Sequence, residues 1–347
     1  RCVIQNASHF FLSPCLPRLS QLMVYYASNI TICEILLRLF RDYTEQFIVM
    51  LDRDQCLTVF KSSAELLKGY SANHCSDTSR VVVRKSTSSP STSTADLEEE
   101  QNYNDVLCAI QLLNNIGAKD FIDCFSSERT GKGVESNEVI EVVFFGLQQV
   151  LPLMTQGLLH FPTLCKQYFS LVGFMMDTYP EKVGVLPFDL FKSLLDSLLF
   201  GMSHTDSFVS RSSLQGIAAL AREQIETRSL DNHLGQNPSI FDDCTLRLLK
   251  EVVFQSVIWE RLEPAAFALL PLAAIDLNRF ANVVTMISQH LDTEKQQRMQ
   301  AAFQRLMQPD VMSKVSNGNY GGRMNRMRFR KDFEVFVKDI HSAVLIF

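Results

Sequence analysis

The chain has 347 residues, more than the roughly 250–300 at which one hydrophobic core stops growing, so a single compact core is excluded and several domains or a repeat array are expected. Hydrophobic residues make up 46% and include 25 Phe, while 14 Gly and 11 Pro fall below ordinary usage, which favours helix and excludes disorder for most of the length. The 33 basic against 38 acidic residues leave a net charge of −5. That charge offers a nucleic-acid duplex no global attraction, and DNA binding is not expected.

The nine cysteines are scattered with no CxxC pair, the pattern of small core thiols in a reducing compartment, and no structural metal is expected. The longest apolar runs, Ala265–Ile275 and Val142–Met154, are too short to span a bilayer, so no membrane insertion is expected. Arg1 opens the chain with no signal-peptide pattern after it, which reads as an internal or carboxy-terminal piece of something longer. Asn29-Ile30-Thr31 matches the glycosylation acceptor pattern and is read as a chance match.

In chain order, Ile32, Ile35, Leu36, Leu39, Phe40, Tyr43 and Phe47 recur at three and four residues, one face of an amphipathic helix over 32–50. Asp52 and Asp54 fall where a second helix would start, and it is expected to stop at Gly69 and the polar run Ser71–Asn73. From 71 to 101 periodicity is lost. Residues 86–95 hold eight Ser or Thr, and Asp96, Glu98, Glu99 and Glu100 follow. The expected organisation is helical hairpins over 1–75, a Ser/Thr-rich and acidic flexible insertion over 76–101 that protease should nick first, and a helical array over 102–347.

Helical spacing returns over 103–116, 135–157, 162–179, 187–201, 206–228, 240–258, 264–291, 293–308 and 329–345, with Pro187 expected at a first helical position and Asp292 or Thr293 at a helix start. Paired, these give hairpins beginning near 32, 103, 162, 206 and 264. Their size and two-helix grammar match HEAT-type repeats rather than 34-residue repeats. The expected fold is all-α: an α-solenoid of HEAT-like antiparallel helical hairpins, an ARM-like superhelix.

No phosphate-cradling loop, dinucleotide fingerprint, HExxH, GxSxG or Cys-His pair appears, so neither a cofactor nor enzymatic activity is expected. A solenoid offers extended surfaces instead. On 187–201, Asp189 and Asp196 lie two turns apart with Lys192 between them and leucines opposite, a face that could hold a basic group of a protein cargo. The second charge feature is the basic cluster Arg323, Arg326, Arg328, Arg330 and Lys331, which could meet an acidic protein surface, RNA phosphate or an import receptor. Positive charge at a helix start opposes the helix dipole, so an external partner is expected to compensate it.

Phe161-Pro162-Thr163-Leu164-Cys165-Lys166-Gln167-Tyr168-Phe169-Ser170-Leu171, Tyr179-Pro180-Glu181-Lys182-Val183 and Leu186-Pro187-Phe188-Asp189-Leu190-Phe191-Lys192 together resemble the carboxy-terminal HEAT repeats of the exportin-4 family, nuclear-transport receptors of the importin-β superfamily. The likeness extends more weakly from about residue 103 to the closing Phe333–Ile340. It implies a nuclear export receptor that binds folded protein cargo and Ran in its GTP state, passes nuclear pore proteins, and shuttles between nucleus and cytoplasm. In such receptors Ran contacts lie mainly on amino-terminal repeats with no counterpart here, and the second helix of each hairpin lines the concave side. The alternative is a static α-solenoid scaffold or regulatory subunit.

Overall fold

The computed structural model describes residues 13–74, 103–130, 136–155, 157–255, 259–289, 291–307 and 323–344. The expected insertion at 76–101 lies outside them. Among the described residues the regular structure is helical throughout, without a strand. The chain divides into two compact units, Arg1–Leu171 and Val172–Phe347.

In the first unit the helices are α1 (Leu16–Tyr25), α2 (Ile30–Phe47), α3 (Arg53–His74), α4 (Asn104–Thr130) and α5 (Ser136–Val150), followed by the start of α6 (Pro162–Thr178). Helix α2 packs along α4, α1 along α3 and α3 along α5, so first and second helices of successive hairpins form separate layers. Cys33, Leu36, Leu37, Phe40, Tyr43 and Phe47 form the buried face of α2; of the expected stripe Leu36, Phe40, Tyr43 and Phe47 are buried, Ile32 and Leu39 are half-buried and Ile35 is exposed. Asn29 has a structural role: its side chain accepts from the Ile32 amide at 3.2 Å and caps α2. Asp52 caps α3 reciprocally. Its carboxylate accepts from the Gln55 amide at 2.9 Å, and the Gln55 side chain accepts from the Asp52 amide at 3.0 Å.

Two differences from the expected elements arise here. Helix α1 was not foreseen, because its buried row is Leu16, Ser20 and Met23, with a serine in the middle of the stripe. Helix α3 does not stop at Gly69 but continues to His74. Gly69 lies where α1 crosses, a Cβ there coming within 3.2 Å of Met23, and Tyr70 is fully buried with its hydroxyl donating to Asp105 at 2.8 Å. Packing outweighs the helix penalty of glycine, about 1 kcal/mol. A similar approach at Gly146 on α5 would bring a Cβ within 2.3 Å of Leu113 and 3.1 Å of Leu67. Gly146→Val is therefore expected to cost about 1–3 kcal/mol, read as a lower denaturation midpoint at unchanged slope. A variant as stable as the parent would show that α4 and α5 can part without loss.

The second unit holds the end of α6, then α7 (Pro180–Val183), α8 (Phe188–Met202), α9 (Ser207–Glu226), α10 (Asp231–Gln236), α11 (Ile240–Phe254), α12 (Trp259–Ile275), α13 (Leu277–Ser288), α14 (Thr293–Leu306) and α15 (Arg323–Val344). Helices α9, α12 and α15 lie side by side in one layer, and α8, α11 and α13 in the other. This is the stacked-hairpin arrangement of an all-α, solenoid-class fold. Helix α9 can occupy the middle because it is built from small residues. A Cβ at Gly173 of α6 would lie 3.4 Å from Ser212 and one at Gly216 3.1 Å from Leu198, and the buried Ser210 and Ser213 hydroxyls donate to the Met202 and Val209 carbonyls.

The expected helix over 264–291 is two helices. Asp276 adopts an extended backbone and its carboxylate accepts from the Asn278 and Arg279 amides at 2.9 and 3.1 Å, so α13 starts afresh at 118° to α12. Pro264 and Pro271 are tolerated inside α12, each removing one ladder donor. Pro187 is the residue before α8 rather than its first, and Glu181 and Lys182 lie in the one-turn helix α7. Finally, α15 begins at Arg323 instead of near 329, which places the whole basic cluster on a helix.

Candidate functional site

Helix α8 buries Phe191, Leu194, Leu195, Leu198 and Met202, and the 3.6-residue repeat then carries Asp189, Lys192 and Asp196 to the opposite face. All three are exposed, and none has an ion pair or side-chain hydrogen bond among the described residues. Two turns separate the aspartates, about 10 Å along the axis. The face is a solvated pair of anions with one cation between them. It belongs to the layer of second helices, with α11 and α13.

Where α8 ends, polar groups fix the turn to α9. Ser203 donates to Glu251 of α11, Arg247 donates to Ser203 at 3.1 Å, and Arg261 of α12 donates to the His204 and Thr205 carbonyls, the latter at 3.0 Å. Burial pushes the Glu251 carboxyl above its ordinary value, while the Ser203 bond and the Arg247 and Arg261 charges pull it back. At the far end of α11, Arg279 lies 3.5 Å from Asp242 and 3.6 Å from Asp276 and donates to the Pro238 carbonyl at 2.7 Å.

The basic cluster does not form one patch. Helical spacing sends Phe329 and Phe333 into the core, leaves Arg328 and Lys331 exposed, and turns Arg326 and Arg330 toward a cavity of about 600 Å³. The Arg323 side chain lies outside the described residues. Arg330 is held at 2.7 Å by Glu263 of α12 and at 3.2 Å by Glu334 one turn along α15. The expectation that this charge waits for an external partner is therefore corrected for Arg330, whose compensation is internal. Across the cavity, Arg211, Gln215, Ala218 and Arg222 follow one another at four, three and four residues on α9, a stripe present in the sequence but not read as a site. Arg222 lies 3.6 Å from Asp177, which is 71% exposed.

Apart from the exposed Cys15, the thiols whose side chains are described are core groups. Cys33, Cys56, Cys108, Cys165 and Cys244 are buried, and burial pushes the Cys244 thiol up to about 12, leaving it unreactive. No helix among the described residues is long and apolar enough to cross a membrane. Among the histidines, His341 meets the Val252 carbonyl at 2.8 Å, and His233 is a core residue. It is 3% exposed and stacks on Phe191 with ring centroids 4.1 Å apart. Its short helix, Asp-Asn-His-Leu-Gly-Gln, carries no apolar periodicity that could have marked the ring as core.

The family model described as Exportin-4 matches residues 2–344, nearly the entire chain. The chain belongs to the Exportin-4 family. That family is one of nuclear transport receptors, in agreement with the resemblance carried by residues 161–192 and with the stacked helical hairpins.

Proposed function

We propose that the chain is the part of a nuclear export receptor that binds folded protein cargo on the layer of second helices, in a cycle driven by Ran in its GTP state. The observation that carries this reading is the Exportin-4 family match over residues 2–344 on tandem helical hairpins. The exposed, unpaired Asp189 and Asp196 support a basic cargo contact on α8. Mechanistically, cargo and Ran bound to GTP each favour the same arrangement of the repeats, so each strengthens binding of the other. Such a receptor shuttles between nucleus and cytoplasm and engages nuclear pore proteins on the way.

The test measures cargo affinity of the receptor containing these repeats, with Ran loaded with GTP or with GDP. An export receptor binds cargo more tightly with the GTP form. Affinity that ignores the nucleotide overturns the reading and favours a static scaffold. In the same assay, Asp189→Lys with Asp196→Lys is expected to weaken GTP-dependent cargo binding by about 1–3 kcal/mol where a contact is partly desolvated. Fully solvated contacts would lose under about 1 kcal/mol. Circular dichroism should be unchanged, since both positions are exposed. A folded double variant with normal cargo affinity would remove the aspartates from the cargo face.

A further inference from the structure

We propose that the arginine-lined cavity between α9, α12 and α15 docks an acidic segment of a partner protein, with side-chain carboxylates of that segment seated on Arg211 and Arg326. The site lies on the layer opposite α8 and does not rest on the cargo reading. At about 600 Å³ it falls within the size range of built ligand sites and accommodates a few side chains rather than a domain surface.

Charge and geometry choose the occupant. Arg211 and Arg326 have no ion pair and no side-chain hydrogen bond among the described residues, so two guanidinium forks face the cavity from different helices. Planar forks suit carboxylates, which they bind through two parallel hydrogen bonds. Arg222 is a reserve donor, because its 3.6 Å pair with the exposed Asp177 is long and easily exchanged. Arg330 is the fixed wall, held by Glu263 and Glu334. The acids also discriminate. Glu260 and Glu263 line the α12 side and would repel a continuous phosphate backbone, whereas a peptide can place its acids on the arginines and a backbone amide or basic residue beside the glutamates. Ala218, Pro264 and Phe267 supply apolar surface against which the methylenes of glutamate side chains can pack.

The experiment is fluorescence anisotropy on the full chain with a fluorescein-labelled glutamate-rich peptide. The glutamine version of the peptide and a single-stranded RNA oligonucleotide serve as comparison probes. The glutamate peptide is expected to bind at least about tenfold more tightly than either. Arg211→Gln with Arg326→Gln should weaken it at least about tenfold, and Gln215→Glu, which adds a carboxylate from an exposed position, should also weaken it. Arg328→Gln with Lys331→Gln removes the same charge from the same region but outside the cavity, and should change affinity by no more than about twofold. Equal losses in the two double variants would show unlocalised charge attraction and overturn the proposal. So would tighter binding of the RNA, or absence of peptide binding by the parent chain.

Discussion

Phe333→Ala lowers the unfolding free energy of the second unit by about 3–5 kcal/mol, read as a fall in the midpoint of its denaturation transition. The side chain is fully buried, and its ring lies in a run that passes through three helices. Phe280 of α13 meets Phe303 of α14 at 5.9 Å, Phe303 meets Phe336 of α15 at 4.7 Å, Phe336 meets Phe333 at 5.8 Å, and Phe333 meets Phe329 at 6.4 Å. Truncation removes the transfer free energy of one ring and leaves a gap that neighbouring rings cannot close without leaving their own contacts. The run also anchors α15, on which Arg326, two turns before Phe333 along the same side, and Arg330, one turn before it, line the cavity. Phe333→Leu, which keeps most of the volume, should cost less than half as much. Equal losses in the two variants would mean that ring geometry rather than filled volume holds α15 in place.

The sequence made the hairpins legible and left their joints obscure. Periodicity alone located α2, α6, α8, α9 and α14 to within a few residues. It failed wherever tertiary contact decided. Met23 and Val24 crossing Gly69 let α3 run on to His74, and Asp276 broke an apolar pattern that reads as one helix from 264 to 291. The Asp276 signal was available, since an aspartate followed by Leu-Asn-Arg is a capping position, but the surrounding apolar residues matched a longer helix equally well. For the sites, exposure of Asp189, Lys192 and Asp196 followed from opposition to Phe191, Leu194 and Leu198 on one helix. The partners of Arg330 did not, because Glu263 is 67 residues away in the chain and only folding brings it to 2.7 Å.

His233 makes stability depend on pH with a predictable sign. Burial lowers its pKa from the ordinary 6.5, and neither ring nitrogen has a hydrogen bond of good geometry, so the nearby Gly184 and Val183 backbone offsets only part of that shift. The folded chain therefore holds the neutral ring where the unfolded chain already takes a proton. Stability from this group is fully present above pH 6.5 and is lost as pH falls from 6.5 toward the lower folded value. Asp242 and Glu251 oppose this trend, since burial raises both and acidification relieves their charge. Only a difference between variants isolates the histidine. His233→Phe keeps the stack on Phe191 and removes the titration, so its melting temperature should lose less than the parent's on going from about pH 7.5 to about pH 5. His233→Ala removes the ring as well and should cost about 3 kcal/mol at neutral pH, near the lower end for deletion of a buried aromatic group. The stack ties α10 to α8, the helix that carries Asp189 and Asp196. Parallel pH profiles for the parent and His233→Phe would show that protonation of this ring is not coupled to folding.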